Sequence, residues 1–159
     1  MAKKKRKKQK SRGPAKRPPA KKKLGKPPPQ VLSMIVCDSV IKDQYTGKLT
    51  LVGLLTNVWA QSFPAVHSQL AVHVEMTNGH GDYECRLALS RADTGVDVAS
   101  IQGPVTLPDP LAVGALTLRL TNLVFPKAGE YRFELYIDGT LMTQRRIIVR
   151  KPNPKEGGK

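Results

Sequence analysis

Gly129-Glu130-Tyr131-Arg132-Phe133-Glu134-Leu135-Tyr136-Ile137-Asp138-Gly139 decides the fold of this chain. Tyr131, Phe133, Leu135 and Ile137 fall on one parity, and Glu130, Arg132, Glu134 and Tyr136 fall on the other. Successive side chains of a β-strand point to opposite faces, so this is a strand with one face in a core and the other toward water. Asp138-Gly139 accepts the positive φ angles of a two-residue type I′ turn. The chain then returns through Leu141 to Val149 as the second arm of a hairpin. Tyr131 also stands where a loop enters a strand, two residues before an inward Phe133. That is the place of the tyrosine corner in immunoglobulin-like sandwiches, whose hydroxyl bonds back to upstream backbone. Phe133 occupies the position of the second cysteine of such domains, so a packed aromatic replaces the disulfide.

Outward from this hairpin the pattern is strand after strand. Leu70, Val72, Val74 and Met76 alternate with Ala71, His73 and Glu75; Cys85, Leu87 and Leu89 repeat the alternation. Leu116, Leu118 and Leu120 alternate with Thr117, Arg119 and Thr121, and Val31–Cys37 and Val96–Ile101 are shorter runs. Leu49–Ala60 is apolar on both parities, which fits a strand buried on both sides or one that changes sheets, with Gly53 marking a bulge. Helical periodicity is absent. Seven or eight strands with turns at this spacing predict an all-β, immunoglobulin-like antiparallel β-sandwich spanning 31–151.

The charge lies elsewhere. Residues 1–30 hold fourteen basic side chains and no acid: Lys3, Lys4, Lys5, Arg6, Lys7, Lys8, Lys10, Arg12, Lys16, Arg17, Lys21, Lys22, Lys23 and Lys26. Residues 31–159 carry 13 basic against 12 acidic residues, so nearly all of the net +15 sits on one end. A segment this charged, with no aromatic and little to bury, is predicted to be a disordered arm. Pro27-Pro28-Pro29 makes a semi-rigid spacer between arm and body, and 152–159 is predicted to fray. Lys and Arg bind polyphosphate backbones by releasing condensed counterions, which needs charge density and no fold. The arm lacks the aromatic residues that stack on bases, so nonspecific binding to DNA, RNA or another polyanion is expected. The alternative is a solubilising arm on a protein-interaction sandwich, with a strand edge or the loop from Gly103 to Gly114 as the contact surface.

Catalytic and metal signatures are missing from the sequence. His73 and Glu75 share a strand face, and His67 and His80 fall to flanking loops, which is not a converging ligand set. Asp38 and Asp43 flank Thr46-Gly47 and read as turn residues. Lys48 lacks the glycine spacing of a phosphate loop, and Asn78-Gly79-His80-Gly81-Asp82 reads as a hairpin loop. Trp59 is assigned to core or rim packing. Cys37 and Cys85 form no disulfide framework, and Cys85 falls in phase with core leucines. No enzyme, cofactor or metal is expected. The proline-broken start offers no secretory signal, and no apolar stretch approaches the 18 residues of a membrane span. A cytoplasmic protein without integral membrane contact is therefore expected.

Several segments resemble an uncharacterised bacterial family of small proteins, one of the domains of unknown function. They are Cys37-Asp38, Thr46-Gly47-Lys48, Leu51-Val52-Gly53-Leu54, Phe63-Pro64-Ala65-Val66-His67, Phe125-Pro126, Gly129–Phe133 and Asp138-Gly139. The resemblance spans roughly residues 31–150. It implies a compact β domain of the bacterial cytoplasm and no particular activity, and the basic arm lies outside it.

Overall fold

The computed structural model describes residues 26–152 and forms them into nine strands. These are β1 (Gln30–Lys42), β2 (Leu49–Leu54), β3 (Asn57–Trp59), β4 (Ala65–Thr77), β5 (Gly81–Arg91), β6 (Asp97–Leu107), β7 (Gly114–Phe125), β8 (Gly129–Ile137) and β9 (Thr140–Arg150). One sheet has the order β2-β1-β4-β7 and the other β3-β9-β8-β5-β6. All pairings are antiparallel except that of β3 with β9. The two sheets face each other as an all-β sandwich, and no helix occurs among the described residues.

Strand β8 lies between β9 and β5, at the middle of its sheet. Its inward residues Tyr131, Phe133, Leu135 and Ile137 are all buried. Leu70, Val72, Val74 and Met76 of β4 and Leu87 and Leu89 of β5 belong to the same core. Full burial of each such side chain contributes roughly 1.5–3 kcal/mol of transfer free energy. The Tyr131 hydroxyl donates to the Lys127 carbonyl at 2.8 Å, the corner bond expected from the sequence. Its ring meets Phe125 edge-on, with centroids 5.1 Å apart. Asp138 and Gly139 take φ values of 46° and 78°, as a type I′ turn requires.

The run Leu49–Ala60 is apolar on both parities because it changes sheets. Its first half pairs with β1 and its second half with β9. The break between them falls after Leu54 and not at a bulge, because the β1–β2 register runs unshifted through Gly53, which takes φ 66° within β2. A side chain there would also overlap the Asp38 carboxylate. The strand count therefore rises to nine. Three other expectations are corrected. The first strand continues past Cys37 to Lys42 because β2 pairs with that extension. His67 lies within β4 rather than in a loop, since that strand begins at Ala65. Gly103–Leu107 is strand and not loop, which confines the connection to 108–113. Pro104 is tolerated because β6 is an edge strand, where a missing N–H costs no ladder bond. Along β7, Asn122 at φ 53° shifts the parity, so that Leu120, Leu123 and Phe125 are all buried.

Leu107 closes one end of the core against two glycines. A methyl group on either Gly79 or Gly114 would overlap the methyl ends of its side chain, and Leu107 is itself buried in the core, so it must shift against its neighbours. Gly114→Ala is expected to destabilise the fold by about 1–3 kcal/mol, the usual cost of overpacking. A urea melt checks this through a lower midpoint at unchanged slope.

Candidate polyanion-binding residues and the Asp38–His67 cleft

Of the fourteen basic residues assigned to polyanion binding, Lys26 is within the described region. The other thirteen, Lys3 to Lys23, lie outside the described residues, as does the segment 153–159. Lys26 rests on the body. Its Nζ lies 3.9 Å above the Tyr83 ring centroid and 3.9 Å from Asp138 Oδ2. The Tyr83 hydroxyl donates to the Pro27 carbonyl at 3.0 Å. Asp138 is held for this role because its other oxygen accepts the Glu84 N–H at 2.8 Å. Lys26 and Pro27 are thus fixed to the hairpin end of the second sheet, and Lys26 shares its charge with a carboxylate of the body.

Besides Asp138, three carboxylates of the body have Lys or Arg neighbours. Asp97 meets Arg86, Asp93 meets Arg91 and Lys127, and Glu130 meets Arg132 and Arg146. The Arg91 guanidinium holds the Asp93 carboxyl below its ordinary range. Asp43 is also held low, because its Oδ1 accepts the N–H groups of Thr46 and Tyr45 and the Thr46 hydroxyl. It shapes the β1–β2 turn, as its position in the sequence implied.

His73 is buried on the outer face of the first sheet. Its Nδ1 lies 3.0 Å from Thr117 Oγ1 and its Nε2 lies 3.9 Å from Glu75. Glu75 in turn accepts the Ser33 hydroxyl at 3.0 Å. This chain of polar side chains ties β1, β4 and β7 together. The described residues contain no group of three or more His, Cys, Asp and Glu that could hold a metal ion.

A second histidine makes a different environment. His67 Nε2 stands 3.9 Å from Asp38 Oδ1 and is itself buried without a hydrogen-bond partner among the described residues. It sits where the chain crosses from β2 to β3, between two cavities of about 240 and 310 Å3 that share Val58, Trp59 and His67 as walls. Trp59 is half exposed at the rim, with the Arg150 guanidinium 4.2 Å above its ring. Three segments that carry the family resemblance meet here: Cys37-Asp38, Leu51–Leu54 and Phe63–His67. Asp38 and His67 are 29 positions apart, and no spacing rule joins them. Only the pairing of β1 with β2 and β4 brings them together.

Both cysteines are free and buried. Burial is the main cause that raises each thiol above its ordinary pKa, so both are neutral at pH 7. Neither is expected to react with iodoacetamide in the native protein, whereas both react once urea unfolds it. Mass spectrometry of the labelled chain reads the difference directly.

No helix is long and apolar enough to cross a membrane among the described residues. A search of curated proteins finds no match to the chain. A family model described as a family of unknown function (DUF6941) matches residues 32–150, which takes in all but the first two residues of β1 and every later strand, and the chain belongs to that family.

Proposed function

We propose that this family member is a non-enzymatic binding or accessory protein of the bacterial cytoplasm. Its basic arm holds it to nucleic acid or another polyanion without reading sequence, and the sandwich supplies the shaped body. One observation carries this reading: fourteen cations with no acid precede a body that is nearly neutral. Asp93, Asp97 and Glu130 of the body support it, because each already has an arginine neighbour and is poorly placed to neutralise an arm as well. The polar chain through His73 is a structural tie, since its imidazole is 3% exposed and closed to a substrate. The Tyr131 corner and the parallel β3–β9 pairing support an immunoglobulin-like form of the sandwich.

A gel shift with three duplexes of equal length and unrelated sequence tests the reading. The full chain is expected to retard all three equally at low salt. A strong preference for one duplex, or no retardation of any, would overturn it.

The edge strand β2 favours a second reading, a protein-interaction module. Its sequence Leu-Thr-Leu-Val-Gly-Leu is uncharged, and Leu54 is 70% exposed beside a strand edge that is unpaired among the described residues. Such an edge accepts an added strand. Leu111 and Val113, both exposed in the 108–113 connection, are large apolar residues left of the loop proposed for the same role. A pull-down that depends on Leu54 and not on the arm would establish this reading instead.

A further inference from the structure

A notch opens beside β9 where β3 has not yet begun. β3 runs parallel to β9 and starts at Asn57, opposite Ile148. Among the described residues, 144–147 of β9 therefore have β8 on one side and no strand on the other. The Ile148 N–H donates to Thr56 at 3.0 Å across the start of this pairing. Backbone N–H groups two residues apart in a strand point to the same edge, so those of Arg146 and Gln144 point into the notch, alternating with the carbonyls of the same residues. The notch is a cavity of about 440 Å3 lined by Thr56, Asn57, Gln144, Arg145, Arg146 and Ile148. That volume lies within the roughly 300–1,000 Å3 of ordinary ligand sites.

The lining carries two guanidinium groups and no carboxylate; its acceptors are the neutral oxygens of Thr56, Asn57, Gln144 and the strand backbone. Arg145 is opposite inward Phe133 and Arg146 is opposite outward Arg132, so the two guanidinium groups flank the strand edge from its two faces. Arg145 makes no ion pair among the described residues. Arg146 Nη1 lies 3.6 Å from Glu130 Oε2, but Glu130 also serves Arg132, so one carboxylate is shared by two cations and positive charge is left over. Guanidinium groups stay charged at every relevant pH and match phosphate oxygens with paired N–H donors. The Asn57 side chain adds an amide next to them, bonded to Thr56 Oγ1 at 3.2 Å.

We propose that this notch is a phosphate-binding site, in which Arg145 and Arg146 clamp a phosphate group of a polyphosphate backbone beside the backbone N–H groups of Gln144 and Arg146 on β9. The ligand class rests on the polyanion reading above; the location does not. A body with such a site would grip one phosphate at a fixed place while the arm contributes diffuse attraction.

The test is a titration of the full-length protein with inorganic pyrophosphate, followed by NMR at the Asn57 side-chain amide and the arginine Nε–H groups. Saturable shifts at Asn57, Arg145 and Arg146 are expected. The double variant R145Q/R146Q should weaken them on the order of 10-fold or more, as loss of charged hydrogen bonds implies, while R119Q leaves them unchanged. Both arginines are exposed, so the double variant keeps the fold, which its amide spectrum verifies. A full-length variant with the thirteen arm cations from Lys3 to Lys23 changed to Gln should keep the notch shifts. If that variant loses duplex binding and keeps the notch shifts, the site stands by itself. If arm charges prove irrelevant to duplex binding while pyrophosphate still saturates the notch, the arm reading fails and the site survives. Shifts confined to arm signals, an unchanged R145Q/R146Q titration, or saturation by an acidic peptide and not by pyrophosphate would overturn the proposal.

Discussion

Full-length protein bound to a mixed-sequence duplex is expected to lose about a thousandfold in affinity between about 50 and about 200 mM monovalent salt. The figure follows from counterion release. Each neutralised phosphate of B-DNA contributes close to −0.9 to the slope of log affinity against log salt. If about six of the arm's cations meet phosphates, the slope is near −5, and a fourfold rise in salt then weakens binding by about three orders of magnitude. No aromatic residue accompanies the charges of residues 1–30, so the arm has no stacking contribution to hold binding at high salt. Fluorescence anisotropy with a labelled duplex measures the slope. A value near zero would mean that contacts other than ion pairing carry the complex.

The second large effect concerns the body. Phe133→Ala is expected to cost about 3–5 kcal/mol, the range for removing a buried aromatic. Phe133 is fully buried, lies on the central strand of its sheet, and is opposite Leu89 on the neighbouring strand β5. The cavity left behind is walled by strands paired on both sides, which cannot collapse into it cheaply. Domains of this size are stable by only about 5–15 kcal/mol, so the variant stands close to unfolding at room temperature. A urea melt followed by near-ultraviolet circular dichroism reads the loss. Phe133→Leu fills most of the cavity and should recover the larger part of it. If alanine costs less than about 1 kcal/mol, then Phe133 does not replace a sandwich disulfide in the way proposed.

Strand β8 was legible residue by residue. Its parity, the Asp138-Gly139 turn and the Tyr131 corner follow from local rules that need only the neighbours in sequence, and the structure bears out each. Boundaries were less legible where tertiary pairing decides them. Nothing local says that β1 runs on to Lys42, because that extension is held by β2. Pro104 reads as a strand breaker until β6 is known to be an edge. Asn122 hides a parity shift that looks in sequence like the end of a strand. The two concave sites were not legible at all. His67 meets Asp38, and Asn57 meets Arg145 and Arg146, only after sheet order has been set. Lys26 shows the same limit: its charge belongs to the basic run by composition and to Asp138 and Tyr83 by geometry.

Separation of charge from shape is the central claim, and the most direct measurement compares two full-length proteins at one low salt concentration. One is the natural chain; the other carries Gln at the thirteen basic positions from Lys3 to Lys23, leaving Lys26 on its Tyr83 seat. The natural chain should bind duplex DNA, and the substituted chain should lose all but the weak contribution of the body. Equal affinity in the two proteins, with both folded, would contradict the claim.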